Sequence, residues 1–131
     1  MLDNNFRKKQ VYAFLGKTVT VTVDRPIGSP HPKHPDIIYP INYGYIAGEI
    51  APDGEELDVY VLGVKEMLST FAGRVIAIVH RENDVEDKLV AAPEGLMFSA
   101  AEMAEAVWFQ EQFYDSWVEM MDEQGAKNDP D

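Results

Sequence analysis

The sequence of 131 residues contains no cysteine, which excludes disulfide bonds, thiolate metal sites and a cysteine nucleophile. It also lacks an apolar run of membrane-spanning length, and its first ten residues lack the apolar core of a signal peptide. We therefore expect a protein of the cytoplasm that does not cross a membrane.

Basic side chains are scarce, and the formal net charge is −12. Such an acidic chain is a poor binder of nucleic acid, because the neutralisation of phosphates supplies most of that affinity. A small anionic substrate is compatible with this charge where metal cations bridge it to carboxylates. The expected partner is therefore a small anion rather than a nucleic acid or a membrane.

The length and the hydrophobic content of 46% predict one globular domain over residues 1–131. Several short apolar runs predict strands, and one long helix follows them, which is typical of an α+β domain. Four or five such strands with tight turns could close into a small barrel. The segment 1–16 fits a helix or a strand equally well. The main predicted strands are residues 18–23, 57–61, 73–79 and 89–92.

The last long element is predicted to be a helix that starts at Ser99 and ends before Gly125. Ser99 and Glu102 have the spacing of a capping box. Apolar residues recur behind them at helical spacing, which predicts a buried stripe. The acidic residues between them, Glu111 and Glu119 included, are expected on the solvated face. The stripe contains Met103, Val107, Tyr114, Trp117, Val118 and Met121.

An acidic turn lies near the middle of the chain. Residues 51–54 read APDG, with proline and glycine at positions that suit a type I turn. Asp58 follows inside an apolar strand, where a carboxylate is costly to bury unless it is paired. Together, Asp53, Glu55 and Asp58 suggest oxygen ligands for a hard cation such as Mg²⁺ or Mn²⁺. The alternative is a solvated hairpin turn without a ligand.

Two neighbouring segments carry further polar groups. Tyr39, Tyr43 and Tyr45 precede the acidic turn, and their hydroxyls could reach a polar ligand. Residues 26–35 form a proline-rich segment, the histidine loop, which is either an exposed connector or a basic flap close to the site. Its polar side chains include His31, Lys33 and His34.

A second acidic cluster lies in residues 80–88, which read HRENDVEDK between two predicted strands. Taken alone, this composition is typical of a solvated hairpin tip. It contains Glu86, Asp87 and Lys88.

Residues 39–46, YPINYGYI, and residues 53–63, DGEELDVYVLG, resemble the signature region of soluble inorganic pyrophosphatases. KLVAAP at 88–93 is similar to a strand of the same family. The resemblance implies an OB-like five-stranded barrel with a helix packed outside. It also implies Mg²⁺-dependent hydrolysis of inorganic pyrophosphate by a metal-activated water, with Mn²⁺ as an alternative cation.

The resemblance implies roles for individual residues. Glu55 would handle the attacking water as the central acid of the turn, and Asp53, Glu55 and Asp58 would bind metal. Either Glu86 or Asp87 would fill a further ligand position. The phosphate contacts would come from Arg25, Tyr43 and Lys88.

The chain also departs from the family pattern. Glu55 stands where the family has Asp, and Phe113 with Tyr114 stands where the family has a Tyr-Lys pair that grips the phosphate. The N-terminal hairpin of the family is missing or reduced to Lys17, and Lys33 is a candidate replacement cation. We therefore expect slower hydrolysis than in a family member with the full set of phosphate contacts.

Three functions stay open at this point. The first is a divergent pyrophosphatase, and the second is a hydrolase of another phosphoanhydride, such as a nucleotide derivative. The third is a non-catalytic barrel that binds a metal or a partner. The oligomeric state, including a homo-oligomer, is also open.

Overall fold

The computed structural model describes residues 10–84 and 86–121. Residues 10–14 are helical, which decides part of the segment that the sequence left open. None of the described helices is long and apolar enough to cross a membrane. The strands are β1 (Thr18–Arg25), β2 (Asn42–Ile50), β3 (Glu56–Val61), β4 (Thr70–Arg81), β5 (Lys88–Ala92) and β6 (Ser116–Met120), and the main helix is α1 (Ala100–Glu111).

The strands form one sheet in the order β1-β2-β3-β5-β4-β6, and a further pairing of β1 with β4 closes the first five into a barrel. Only the β3–β5 pair is parallel among the described strand pairs. The sixth strand adds to β4 outside this ring, and α1 packs outside the barrel as well. The predicted five-stranded barrel with an external helix is confirmed.

The interior of the barrel follows the side-chain alternation of the strands. In β1, Val19, Val21 and Val23 are buried while the threonines between them are exposed or half-buried. By contrast, all five residues of β5 are buried, and this strand lies between β3 and β4 in the sheet. In the parallel pair, Val59 of β3 lies opposite Leu89 of β5, and the preceding residues, Asp58 and Lys88, are in contact.

Helix α1 starts as predicted but ends early. The Ser99 side chain accepts from the Glu102 N–H and the Glu102 carboxylate accepts from the Ser99 N–H, so the capping box is complete. The helix then ends at Glu111, and residues 116–120 form β6 instead of continuing it. Gly125, the predicted end, lies outside the described residues.

The exposed edge of β4 explains the early end of the helix. Val79 pairs with Val118 and His80 with Trp117 in an antiparallel ladder, which satisfies backbone groups on both strands. The expectation that Trp117 lies buried on a helix is therefore wrong: its side chain is 47% exposed. Its indole Nε1–H donates to Glu82 Oε2 at 2.6 Å.

Candidate active site

A cavity of about 770 Å³ brings together strands β1 to β5, α1, the acidic turn and the histidine loop. The strand register explains part of this arrangement, since Tyr43 lies between Arg25 on β1 and Tyr60 on β3. Tyr45 lies opposite Asp58 in the same ladder. The predicted site residues that line the cavity are Arg25, Tyr39, Tyr43, Tyr45, Asp53, Glu55, Asp58, Glu86 and Lys88.

Asp58 has the partner that its place in an apolar strand requires. Lys88 Nζ lies 2.7 Å from Asp58 Oδ2 and 3.4 Å from Glu86 Oε2. The same ammonium lies 5.8 Å from the centre of the Tyr43 ring. The Lys88 side chain is 4% exposed, so the positive charge sits inside the protein among carboxylates.

The acidic turn has the predicted geometry. The Gly54 N–H donates to the Ala51 carbonyl at 2.9 Å, and Gly54 has a φ of 89°, which glycine adopts without strain. The Glu55 N–H donates to Asp53 Oδ1 at 2.9 Å, which orients the Asp53 carboxylate. Glu55 itself is exposed at the cavity wall.

Asp53 and Glu86 form a carboxyl pair across the cavity wall. Burial, and then the hydrogen bond with Asp53, raises the pKa of Glu86 to about 8. Burial opposes ionisation of Asp53 too, but the hydrogen bonds from Glu86 and from the Glu55 N–H lower the pKa of Asp53. Glu86 Oε1 is buried and has no hydrogen-bond partner among the described residues.

Tyr43 and Arg25 contribute donors to the same space. Burial, and then the charge of Asp58, raises the pKa of Tyr43 well above its ordinary value, so its hydroxyl keeps its proton. Arg25 is half-buried, and its Nη1 donates to the Asp24 carbonyl at 3.3 Å. Both residues line the cavity beside the acidic turn.

Asp87 does not line this cavity. Its Oδ2 lies 2.9 Å from His80 Nδ1, and its Oδ1 accepts from the Arg81 N–H at 3.0 Å. Of the two candidates for one ligand position, Glu86 lines the cavity and Asp87 does not. The interpretation of this segment as a solvated tip is wrong for residues 86–88, whose side chains are buried.

The structure adds a buried network that sequence reasoning missed. Arg81 lines the cavity, and its Nε and Nη2 donate to the Glu111 carboxylate. The expectation of a solvated Glu111 is wrong, since this residue is 2% exposed. Tyr60 donates to Glu111 Oε2 at 2.5 Å. Glu111 follows Met103 and Val107 at four-residue spacing, and this signal could have placed it on the buried face.

The expectation of a solvated Glu119 is also wrong. Glu119 lies on β6, half-buried, with its Oε1 2.9 Å from His80 Nε2. The hydroxyl of Tyr12 donates to the same carboxylate oxygen. His80 therefore has a carboxylate on each ring nitrogen, Asp87 on one side and Glu119 on the other.

The two residues in place of the Tyr-Lys pair both have ring contacts. The Phe113 ring stacks on His34 with centroids 4.1 Å apart and an interplanar angle of 9°. The guanidinium carbon of Arg81 lies 3.6 Å from the centre of the Tyr114 ring, which is a cation–π contact. Both rings line the cavity, and the histidine loop reaches it through His31, Pro32, Lys33 and His34.

The site has the donor chemistry of a hard-cation site without a preformed cage. Within residues 10–84 and 86–121, no three His, Asp or Glu side chains converge closely enough to hold a metal ion. Seven carboxylates of the described residues nevertheless line one cavity, and the Oε1 of Glu86, which has no partner among those residues, is a buried acceptor that a cation would satisfy. The residues present therefore fit Mg²⁺ or Mn²⁺ by their chemistry.

Fold and site together define a small closed barrel with a mixed acidic and basic cavity, a class suited to binding a polyanion with cations. A family profile described as inorganic pyrophosphatase matches residues 7–120. The chain therefore belongs to the inorganic pyrophosphatase family, and the resemblance seen in its motifs is confirmed.

Individual relatives agree with this assignment. An inorganic pyrophosphatase of Campylobacter jejuni is 35% identical over 80 residues, which are 56% of this chain and 41% of that protein. The match thus spans less than half the length of that relative.

The crystal structure of inorganic pyrophosphatase from Ehrlichia chaffeensis matches with a TM-score of 0.61 at 16% identity, over 79% of this chain and 86% of that one. The inorganic pyrophosphatase of Coxiella burnetii matches with a TM-score of 0.55 at 19% identity, over 80% and 84%. These structural likenesses confirm the OB-like barrel.

Proposed function

We propose that this protein hydrolyses inorganic pyrophosphate to phosphate with the help of Mg²⁺ or Mn²⁺. Family membership supports the reaction. The observation that carries the proposal is that one cavity holds the acidic turn together with Arg25, Tyr43 and Lys88. A polyanion needs both kinds of group, because carboxylates recruit cations and the basic side chains contact phosphate directly.

The divalent cation would be held by Asp53, Glu55, Asp58 and Glu86. When bound, it supplies a Lewis acid that neutralises phosphate charge and acidifies the attacking water. Asp87 is left out of this set, because its two oxygens contact His80 and the Arg81 N–H.

The side chains of the protein carry the remaining steps. Glu55 is exposed to the cavity and accepts the proton of the attacking water. A bond forms between water oxygen and phosphorus, and the bond from that phosphorus to the bridging oxygen breaks. Arg25, Lys88 and the protonated Tyr43 donate to the phosphate oxygens as charge moves to the leaving phosphate, which then takes up a proton.

Phosphate release from pyrophosphate tests this reaction. The parent protein, Glu55→Gln and the control Glu94→Gln are compared with Mg²⁺ and with Mn²⁺ near neutral pH; Glu94 is exposed and lies away from the cavity. We expect Glu55→Gln to lose about 10²-fold or more in rate, and Glu94→Gln to lose nothing. The proposal fails if the parent releases no more phosphate than Glu55→Gln with either cation.

Cation binding has a test that does not depend on turnover. Mg²⁺ or Mn²⁺ should raise the melting temperature of the parent, because a ligand that binds only the folded state stabilises it. Asp58→Asn should lose most of this rise, measured against its own cation-free melting temperature, and Glu94→Gln should keep it. If neither cation shifts the melting temperature of the parent protein, cation binding at this site is refuted.

A larger phosphoanhydride is the second candidate substrate. A volume of about 770 Å³ lies in the range of cavities that hold drug-sized ligands, which leaves room beyond a diphosphate. Assaying nucleoside di- and triphosphates beside pyrophosphate separates the two. Faster hydrolysis of a nucleotide than of pyrophosphate would identify the nucleotide as the substrate. No hydrolysis of pyrophosphate or of any nucleotide would favour the non-catalytic barrel. The cytoplasmic location and the oligomeric state stay predictions.

A further inference from the structure

The histidine loop is folded into a defined shape by backbone hydrogen bonds. The His31 N–H donates to the Ile37 carbonyl at 2.8 Å, and the Gly28 N–H donates to the Tyr39 carbonyl at 2.9 Å. The Tyr39 N–H returns a bond to the Ser29 carbonyl at 2.8 Å. Prolines restrict the rest of the loop. The loop is therefore a small closed unit rather than an open connector.

His31 anchors this unit to α1. Its Nδ1 accepts from the Lys33 N–H at 3.1 Å, so the ring proton lies on Nε2, which is 3.1 Å from Gln110 Oε1. Tyr39 donates to the same amide oxygen at 3.1 Å. His31 is buried, and one ring thus holds both the backbone of Lys33 and the end of the helix.

A second anchor lies at the cavity wall. The rings of His34 and Phe113 stack 4.1 Å apart and nearly parallel, although Phe113 is 44% exposed. Phe113 is one of the two residues that replace the phosphate-gripping pair of the family pattern. Its ring therefore contacts the loop, whereas the tyrosine of the family pattern would donate a hydroxyl.

Lys33 lies between the two anchors and lines the cavity with an exposed side chain. Lys88 is paired with Asp58 and Glu86, whereas Lys33 has no ion-pair partner among the residues that the structure describes. An ammonium in this position can contact an anion without first breaking an internal ion pair.

Resting on the proposed function, we propose that Lys33 contacts a phosphate of the substrate, and that His31 and the His34–Phe113 stack are positioning groups that hold it there. The loop thereby supplies the cation that α1 lacks beside Phe113. Because the anchors order the loop before the substrate arrives, little of the binding free energy is lost in ordering Lys33.

Binding of methylenediphosphonate, a diphosphate analogue that cannot be hydrolysed at its bridge, tests the contact by calorimetry in the presence of Mg²⁺. Lys33→Gln should weaken binding about 10- to 100-fold, as expected for a lost hydrogen bond to a charged group. Lys33→Arg should retain most of the affinity. Lys65→Gln is the matched control, since Lys65 is exposed and does not line this cavity.

The anchors have their own test. His34→Phe keeps an aromatic ring on Phe113 and should keep the affinity, whereas His34→Ala should lose part of it. Hydrogen exchange of the Lys33 amide, which His31 protects in the parent, should accelerate in Phe113→Ala and stay slow in Phe113→Tyr. Equal affinity and equal exchange in all four variants would show that the anchors do not position Lys33.

The contact and the reaction can fail separately. If Lys33→Gln weakens diphosphonate binding but the parent releases no phosphate, the contact of Lys33 with phosphate is supported and the proposed hydrolysis is refuted. If the parent hydrolyses pyrophosphate, and Lys33→Gln binds the diphosphonate and hydrolyses pyrophosphate as Lys65→Gln does, the contact of Lys33 with phosphate is refuted. A parent protein that does not bind the diphosphonate also refutes it.

Discussion

Arg81 and Glu111 form a buried ion pair in which Nη2 lies 2.7 Å from Oε2 and Nε lies 3.0 Å from Oε1. Their side chains are 3% and 2% exposed. Burial opposes ionisation of Glu111, but the hydrogen bonds and charge of Arg81 outweigh it and lower the pKa of this carboxyl. The pair joins the end of β4 to the end of α1, and Arg81 also lines the cavity.

Glu111→Gln should destabilise the protein by about 1.5–3 kcal/mol, because the buried guanidinium of Arg81 loses its hydrogen bonds to a charged carboxylate while its contact with Asp84 Oδ2, 2.9 Å from Nη1, remains. Urea unfolding measures the loss. Glu105→Gln on the exposed face of the same helix is the control and should change stability by less than about 0.5 kcal/mol. Equal stability of the two variants would contradict the importance of the pair.

His80 should make stability depend on pH. Burial disfavours the charged ring, but the hydrogen bonds to Asp87 and Glu119 raise the pKa of His80 above its ordinary value. Its contribution is therefore complete below about pH 6.5, the unfolded value, and is lost as pH rises through the folded value. The stability difference between the parent and His80→Gln should shrink as the pH rises above about 6.5. A difference that stays constant over this range would contradict the assignment.

Truncation of Met103 to alanine should cost more stability than truncation of the larger Trp117. Met103→Ala should cost about 2–5 kcal/mol, because Met103 is fully buried on the inner face of α1. Trp117→Ala should cost about 1–2 kcal/mol, since the half-exposed ring loses mainly its stack on His80 and its bond to Glu82. A larger loss for Trp117 in urea unfolding would mean that β6 is packed more tightly than the structure shows.

Tyr114→Lys should not restore the phosphate contact that the Tyr-Lys pair makes in the family pattern. The family pattern has Lys at this place, but here the Tyr114 ring covers the Arg81 guanidinium at 3.6 Å. A second cation at this position would repel Arg81 and remove the cation–π contact, costing about 1–2 kcal/mol. The rate of phosphate release should not rise, and Tyr114→Phe should behave like the parent. A faster Tyr114→Lys variant would show that the cavity tolerates both cations.

Features that depend on near neighbours in the chain could be predicted from the sequence. The alternation of β1, the capping box of Ser99 and Glu102, and the turn at residues 51–54 are all present. The capping box and the turn are stabilised by contacts within a few residues, and the alternation of β1 is a local pattern that indicates a strand with one buried face. The compound motif around the acidic turn also identified the family.

Features that depend on distant pairing were decided only by the tertiary structure. Residues 116–120 have helical periodicity in the sequence, yet they form β6 because the edge of β4 offers an antiparallel partner. Glu111 is buried because Arg81, thirty residues away in sequence, neutralises it. Glu86 rather than Asp87 faces the cavity because His80 and the Arg81 N–H hold Asp87 on the other side. A local pattern cannot predict these outcomes, because the free energy that decides them comes from groups brought together only by folding.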